Sequence, residues 1–194
     1  LEWEIIDDDL AHIKFYHFYK NAENDFSKMS FNILNSSAKG IILDLRNNTG
    51  GYLDVAENIG GWFLEKGELF VIQKYGDYQE KSYVKGTGRL LQYPVVVIIN
   101  QGSASASEIL AGALRDQRNT LIVGETSFGK GSIQRLDYLI DGSSIKITVA
   151  EWLTPSGEPI SEKGLIPDFE IKLKENDETD YQLNKAVELL KEMI

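Results

Sequence analysis

The sequence contains no cysteine. That removes disulfides, a thiol nucleophile and any cysteine-based metal site, without choosing between compartments. Histidine is nearly as scarce, with only His12 and His17. A Ser–His–Asp enzyme would have to draw its base from these two, which lie on or beside an early strand, and a two-histidine metal site finds no further partners. Positive charge is in deficit. Twenty Lys and Arg stand against 30 Asp and Glu, a formal net charge of −10, which argues against nucleic acid or an anionic membrane as a general partner. No apolar run approaches the roughly 18 residues of a membrane span, and no signal peptide is recognisable. The chain opens on Leu1 rather than Met and reads as a fragment of a longer precursor, so the missing targeting segment carries no information.

What is present fits one domain, or one with a small appendage. The 194 residues, 42% of them hydrophobic and 10% aromatic, are enough for a real core. The chain is organised around Pro94 to Gln134. Val95 to Ile99 is an apolar run of β-formers, read as a fully buried strand. It stops at Asn100 and Gly102. Ser103 to Ser107 then alternates Ser and Ala with nothing bulky, and Glu108 to Leu114 carries a helical apolar pattern. The order is strand, tight turn of small residues, helix. A nucleophile at such a turn is exposed above a sheet with helix N–H groups directed towards it. After a second strand, Leu121 to Val123, Lys130 follows between Gly129 and Gly131. A lysine can serve a serine nucleophile as general base when burial favours its neutral form, and flanking glycines would let its side chain turn inward.

Plainer readings exist for the same residues. A Ser/Ala-rich helix start serves capping and close packing, and a Lys between glycines is commonly a solvated loop residue. Gly124 to Lys130 also nearly matches a phosphate-binding loop, GxxxxGK[ST]. Gly131 replaces the required Ser or Thr, and Ser132 to Leu139 alternates like a strand where a helix should follow. Asp7-Asp-Asp9 could suggest calcium, but the EF-hand spacing and its glycine are missing, so a polar turn is expected. Asp116 is expected to serve the end of its helix by orienting backbone or Arg115, not to take part in catalysis.

Elsewhere the pattern alternates between strand and helix. Trp3 to Ile6 and Ile13 to Phe18 read as strands. Residues 22 to 35 place Ala22, Phe26, Met29 and Ile33 on one helical face. Gly40 to Leu45 is a buried strand, followed by Arg46-Asn-Asn-Thr-Gly-Gly51. Leu53 to Leu64 is an amphipathic helix with Gly60-Gly61 inside it, which close packing would explain. Residues 69 to 75 and 79 to 84 form a hairpin, Asp141-Gly142 marks another, and Ser144 to Trp152 is a strand. Glu175 to Asp180 is an acidic linker. Thr179 and Gln182 have the spacing of a capping box for a last helix. The fold class is α/β.

Five blocks carry a resemblance over nearly the whole chain. Asn100-Gln-Gly-Ser-Ala-Ser-Ala-Ser-Glu108, Gly124-Glu with Phe128-Gly-Lys-Gly-Ser-Ile-Gln134, Leu43-Asp-Leu-Arg-Asn-Asn-Thr-Gly-Gly51, Thr154-Pro-Ser-Gly157 and Gly164-Leu-Ile-Pro-Asp168 resemble, in the right order, the carboxyl-terminal processing peptidases. These are the tail-specific Ser–Lys proteases of family S41. The resemblance implies a ClpP/crotonase-like spiral core of ββα units with additional β-hairpins and a C-terminal helix. It places the nucleophile at Ser105, the general base at Lys130 and its orienting residue at Gln134. The oxyanion hole falls on the backbone N–H groups of Gly51 and Ala106. Thr49 stands where the family has Pro, which removes rigidity but no catalytic atom.

The same resemblance implies a serine endopeptidase acting on extended or unfolded polypeptides near their C-termini, with no cofactor and no metal. It also implies an extracytoplasmic location. Residues 1–174 would be the catalytic core and 175–194 a linker and helix on or beside it. No PDZ pattern is present; in the family that domain would lie upstream. A catalytically silent peptide or ligand binder on the same fold is the alternative, since fold does not settle function.

Overall fold

The computed structural model describes residues 1–174 and 177–194. Strand β1 (Glu2–Ile6) turns through Asp7 and Asp8, both at positive φ, into β2 (Leu10–Lys14). The turn is polar, as expected, but β2 begins three residues earlier than the sequence pattern suggests. Beyond β2, Phe15 N–H still binds Asp44 O at the end of the next strand, while Phe18 N–H binds Gly50 O in the loop after it. Helix α1 (Ala22–Leu34) buries Ala22, Phe26, Met29 and Ile33, the face that its periodicity marks.

Strand β3 (Gly40–Asp44) is buried at all five positions. Helix α2 (Leu53–Phe63) follows. Its glycine pair is explained by close approach. A Cβ on Gly60 would stand 2.5 Å from the Phe70 ring, and one on Gly61 would stand 2.7 Å from Gly86 Cα. Next come the hairpin β4 (Leu69–Tyr75) and β5 (Tyr78–Tyr83), the buried strand β6 (Val95–Ile99), helix α3 (Ala106–Arg118) and strand β7 (Leu121–Gly124). The long hairpin β8 (Ser132–Tyr138) and β9 (Ser144–Leu153), the short strand β10 (Phe169–Glu170) and helix α4 (Tyr181–Met193) complete the chain. Helix α4 is capped by Asp180, whose carboxylate accepts from Leu183 N–H, one residue beyond the expected cap at Thr179. Glu175 and Asn176, which open the acidic stretch, lie outside the described residues.

Two sheets result. The larger has the order β1-β2-β3-β6-β7-β10, with only β1 antiparallel to its neighbour. The smaller, β5-β4-β9-β8, is antiparallel throughout. Side chains alternate along a strand, so the central strands feed two cores. Ile41, Leu43, Val95, Val97 and Ile99 join the cluster formed with α1, α2 and α3. Ile42, Val96, Ile98 and Val123 meet Ala186, Leu189 and Leu190 of α4 on the other face. A parallel sheet covered on both faces is an α/β architecture. Its ligand crevice is expected beyond the carboxyl ends of the strands.

Candidate active site

Three loops leave the carboxyl ends of the adjacent strands β3, β6 and β7, and they carry three of the five sequence blocks. Ser105 lies in the loop after β6 and is the N-cap of α3, with φ 58° and ψ −117°. A non-glycine residue at such φ is strained and uncommon. The strain is held by neighbours on every side. Ser103 and Ser107 are fully buried, and their hydroxyls donate to Leu45 O at 2.8 Å and Asn48 O at 2.7 Å. Ala104 N–H donates to Asn48 O at 2.9 Å. Of the three serines in the repeat, the outer two bind the β3 loop, and Ser105 alone remains half-exposed.

The β3 loop is itself fixed. Buried Asn48 donates from Nδ2 to Phe15 O at 2.6 Å, and its Oδ1 accepts from Gly50 N–H at 3.0 Å. Asn47 and Asn100 lock the two loops together. Asn100 Oδ1 accepts from the N–H groups of Asn47 and Gly102, and Asn100 Nδ2 donates to Asn47 Oδ1. Gly50 and Gly51 have φ of 97° and 144°. A Cβ on Gly50 would stand 3.0 Å from Ala106 N, and one on Gly51 would collide with the Phe18 carbonyl. Among the described residues, neither Gly51 N–H nor Ala106 N–H donates a hydrogen bond.

The third loop brings Lys130 to the same rim. Lys130, Thr49, Gln101, Gly102, Ala104 and Phe128 line a cleft of about 400 Å³. The Lys130 side chain is exposed, not turned inward, and no hydrogen bond joins its ammonium to Ser105 Oγ among the described residues. Gln134 is exposed on β8 opposite Thr148, just past a register shift at Ile133, and makes no side-chain hydrogen bond to Lys130. The lysine thus stands on the cleft rim near the nucleophile's turn without closing on Ser105, and the glutamine sits four residues on along β8. Catalytic contacts in an unliganded site are often long and tighten only in the complex.

The residue that sequence reasoning missed is Glu108. Its side chain is fully buried. One oxygen accepts from Ser105 N–H at 2.7 Å and Lys130 N–H at 3.0 Å, and the other from Ser127 Oγ and Gly129 N–H, both at 2.6 Å. Its spacing after Ser105, S-x-x-E before an apolar run, is the capping-box signature that could have found it.

The remaining blocks brace the loop after β7, the start of β7 and the end of α3. Ser127 N–H donates to Leu165 O, and Leu165 N–H donates to Ser127 Oγ. Asp168 Oδ2 accepts from Ile122 N–H at 2.8 Å. Asp116 accepts from Ser156 N–H at 2.8 Å and pairs with Arg115, so it anchors the 154–157 turn, the structural role expected of it. Burial alone would raise the Asp116 pKa, but hydrogen bonds from Thr154 and Ser156 and the Arg115 charge hold it below the usual carboxylate value.

Neither histidine reaches Ser105. His12 is buried on β2 with Nε2 3.3 Å from Asp44 Oδ2, and His17 is exposed. Residues 132–138 form a strand, so the phosphate-loop reading fails on context.

A model of peptidase family S41 matches residues 9–171. The chain belongs to peptidase family S41. It is 35% identical over 170 residues to the carboxy-terminal processing protease CtpA of Bacillus subtilis, covering 88% of this chain and 36% of that protein. It is 39% identical over 165 residues to CtpB of the same organism, covering 84% and 34%. Among solved structures, the photosystem II D1 C-terminal processing protease superposes with a TM-score of 0.73 at 34% identity, over 84% of this chain and 42% of that one. A peptidase structure from Parabacteroides merdae shares the fold, with a TM-score of 0.81 over 97% of this chain and 63% of that one, at 22% identity. The S41 chain thus spans about a third of the length of the two Bacillus relatives.

Proposed function

We propose that this chain is the catalytic core of a serine endopeptidase that cuts extended polypeptides near their C-termini through a Ser–Lys dyad. The observation that carries the reading is the strained Ser105 at the start of α3, packed against Gly50 and followed by the undonated Ala106 N–H, with Lys130 lining a cleft beside Ala104, the residue before Ser105. Lys130 takes the proton from Ser105. The Ser105 Oγ–carbon bond forms, and the carbonyl oxygen becomes an oxyanion held by Gly51 N–H and Ala106 N–H. One such donor is worth roughly 3 kcal/mol. The tetrahedral species collapses with loss of the amine, which takes the proton from Lys130. Water then attacks the acyl-enzyme with Lys130 again as base.

Substrate entry brings Lys130 out of solvent, and Gln134 then orients its amine. The cleft walls supplied by Ala104, Phe128 and the Thr49 methyl suit a small or apolar residue next to the cut bond. The substrate lies as an added strand, bound through its backbone. In the full-length protein an upstream PDZ domain delivers the substrate's end, and the site of action is outside the cytoplasm. No helix among the described residues is long and apolar enough to cross a membrane.

A second reading, a silent peptide binder, is favoured by the exposure of Lys130 and its missing bond to Ser105. Cleavage of casein by the chain beside Ser105→Ala and Lys130→Ala separates the two. Activity lost in both variants supports the dyad. Activity surviving in Lys130→Ala overturns it.

A further inference from the structure

We propose that Glu108 is a positioning residue whose carboxylate ties the nucleophile's turn to the lysine's loop and so sets the separation of Ser105 and Lys130. The proposal rests on the Ser–Lys reading above. A capping role accounts for one of its four hydrogen bonds, that from Ser105 N–H. The other three donors, Ser127 Oγ and the N–H groups of Gly129 and Lys130, belong to the loop after β7. No other side chain among the described residues hydrogen-bonds both Ser105 and the 127–130 segment. The side chain is fully buried and starts α3, where the helix N-terminus favours a carboxylate. Backbone bonds from Phe128 N–H to Ser103 O, from Glu162 N–H to Gly129 O and from Trp152 N–H to Gly131 O also hold this loop, but none of them engages the N–H of Gly129 or Lys130. Glu108 fixes those two N–H groups at the point where the base must face the nucleophile.

Glutamine separates capping from positioning, because it serves equally well in a capping box. It offers one oxygen and one NH₂ group in place of two acceptors. Gly129 N–H binds one oxygen and Lys130 N–H the other, so in either orientation one loop N–H faces an NH₂. The orientation that keeps the Ser105 cap sets NH₂ against Gly129 N–H, and the Ser127 hydroxyl can rotate to accept.

The test is amide hydrogen exchange at Ser105, Gly129 and Lys130, with steady-state kinetics, in the chain and in Glu108→Gln. The expected result is exchange at Gly129 faster by about tenfold or more, with Ser105 still protected. kcat should fall roughly 10- to 100-fold, more than KM rises, because the cleft walls Thr49, Gln101, Gly102 and Ala104 lie outside the 127–130 segment. Glu108→Asp, whose carboxylate is one methylene short of reaching both loops, should move both readouts in the same direction and covers the case in which the Gln variant fails to fold. Unchanged exchange at Gly129 and Lys130 in the folded variants overturns the proposal whether or not the chain turns over. Faster exchange at full kcat overturns it too. Ser105→Ala and Lys130→Ala, run in parallel, report separately on the dyad: activity retained there sinks the Ser–Lys reading but leaves the exchange result standing on its own.

Discussion

Gly50 packs directly on Ser105: a Cβ added to the glycine would stand 2.8 Å from Ser105 Cβ and 2.7 Å from Ala104 O. The backbone atom in the way cannot be moved without moving the nucleophile's turn. Gly50 also has φ 97°, which a side chain resists. Gly50→Ala should therefore lower the melting temperature, at a cost of about 1–3 kcal/mol, and lower kcat by roughly 100-fold or more through displacement of Ser105. Thermal melts and peptide-cleavage kinetics on the same preparation check both.

Arg46 is bracketed by two carboxylates that hold distant parts of the fold together. Its guanidinium lies 2.6 Å from Asp44 Oδ2 and 2.8 Å from Asp180 Oδ2, and it donates to Gln182 at 3.2 Å. Asp44 is buried at the end of β3, and Asp180 caps α4. Asp44→Ala leaves a largely buried cation with only the more exposed Asp180 as counter-charge and should cost up to about 3 kcal/mol. Asp180→Ala should cost about 1 kcal/mol through the lost cap and loosen α4 selectively. Denaturant unfolding, with amide exchange resolved along α4, distinguishes the two.

The same pair gives the protein an acid limb. Burial alone would raise the Asp44 pKa, but hydrogen bonds from His12 and Arg46 and the Arg46 charge outweigh it and hold it below the ordinary 3.8. A carboxyl depressed in the folded state contributes stability that is fully present above its unfolded pKa. That contribution is lost as pH falls through the folded value. Unfolding free energy should therefore decline below about pH 4. The decline should be shallower in Asp44→Asn than in the unaltered chain, measured by denaturant titrations at a series of pH values.

Phe128 contributes an exposed aromatic wall of the cleft, at 66% exposure. Its truncation to Ala should change stability by no more than about 0.5 kcal/mol. KM for peptides with an apolar residue at the cut bond should rise roughly 10-fold, with kcat nearly preserved. A panel of peptides differing at that one residue reads the effect.

The elements that the sequence made legible are those whose side chains carry a repeating signal. The α1 face from Ala22 to Ile33 and the apolar runs of β3 and β6 are of this kind. Three of the five blocks also mark loops at the carboxyl ends of β3, β6 and β7, because small and glycine residues are demanded wherever backbones touch. Periodicity could not show which face of β3 each residue meets, since Ile41 and Ile42 are equally apolar yet serve opposite cores. Long-range polar partners left no local trace. Arg46 meets Asp180 across 134 positions, and His12 meets Asp44 across 32. Glu108 was hidden for another reason. Its position looks like helix start, and its bonds to Gly129 and Lys130 exist only once β7 lies beside β6. The exposure of Lys130 was likewise unreadable, because flanking glycines permit an inward side chain without requiring one.

The most direct measurement is covalent labelling of the chain with a fluorophosphonate serine probe, mapped by peptide mass spectrometry in the unaltered protein and in Lys130→Ala. The account predicts modification at Ser105 alone and its loss, by roughly 100-fold or more in rate, when the lysine is removed. Absence of label at Ser105, or equal labelling rates in the two proteins, would contradict a nucleophile activated by Lys130.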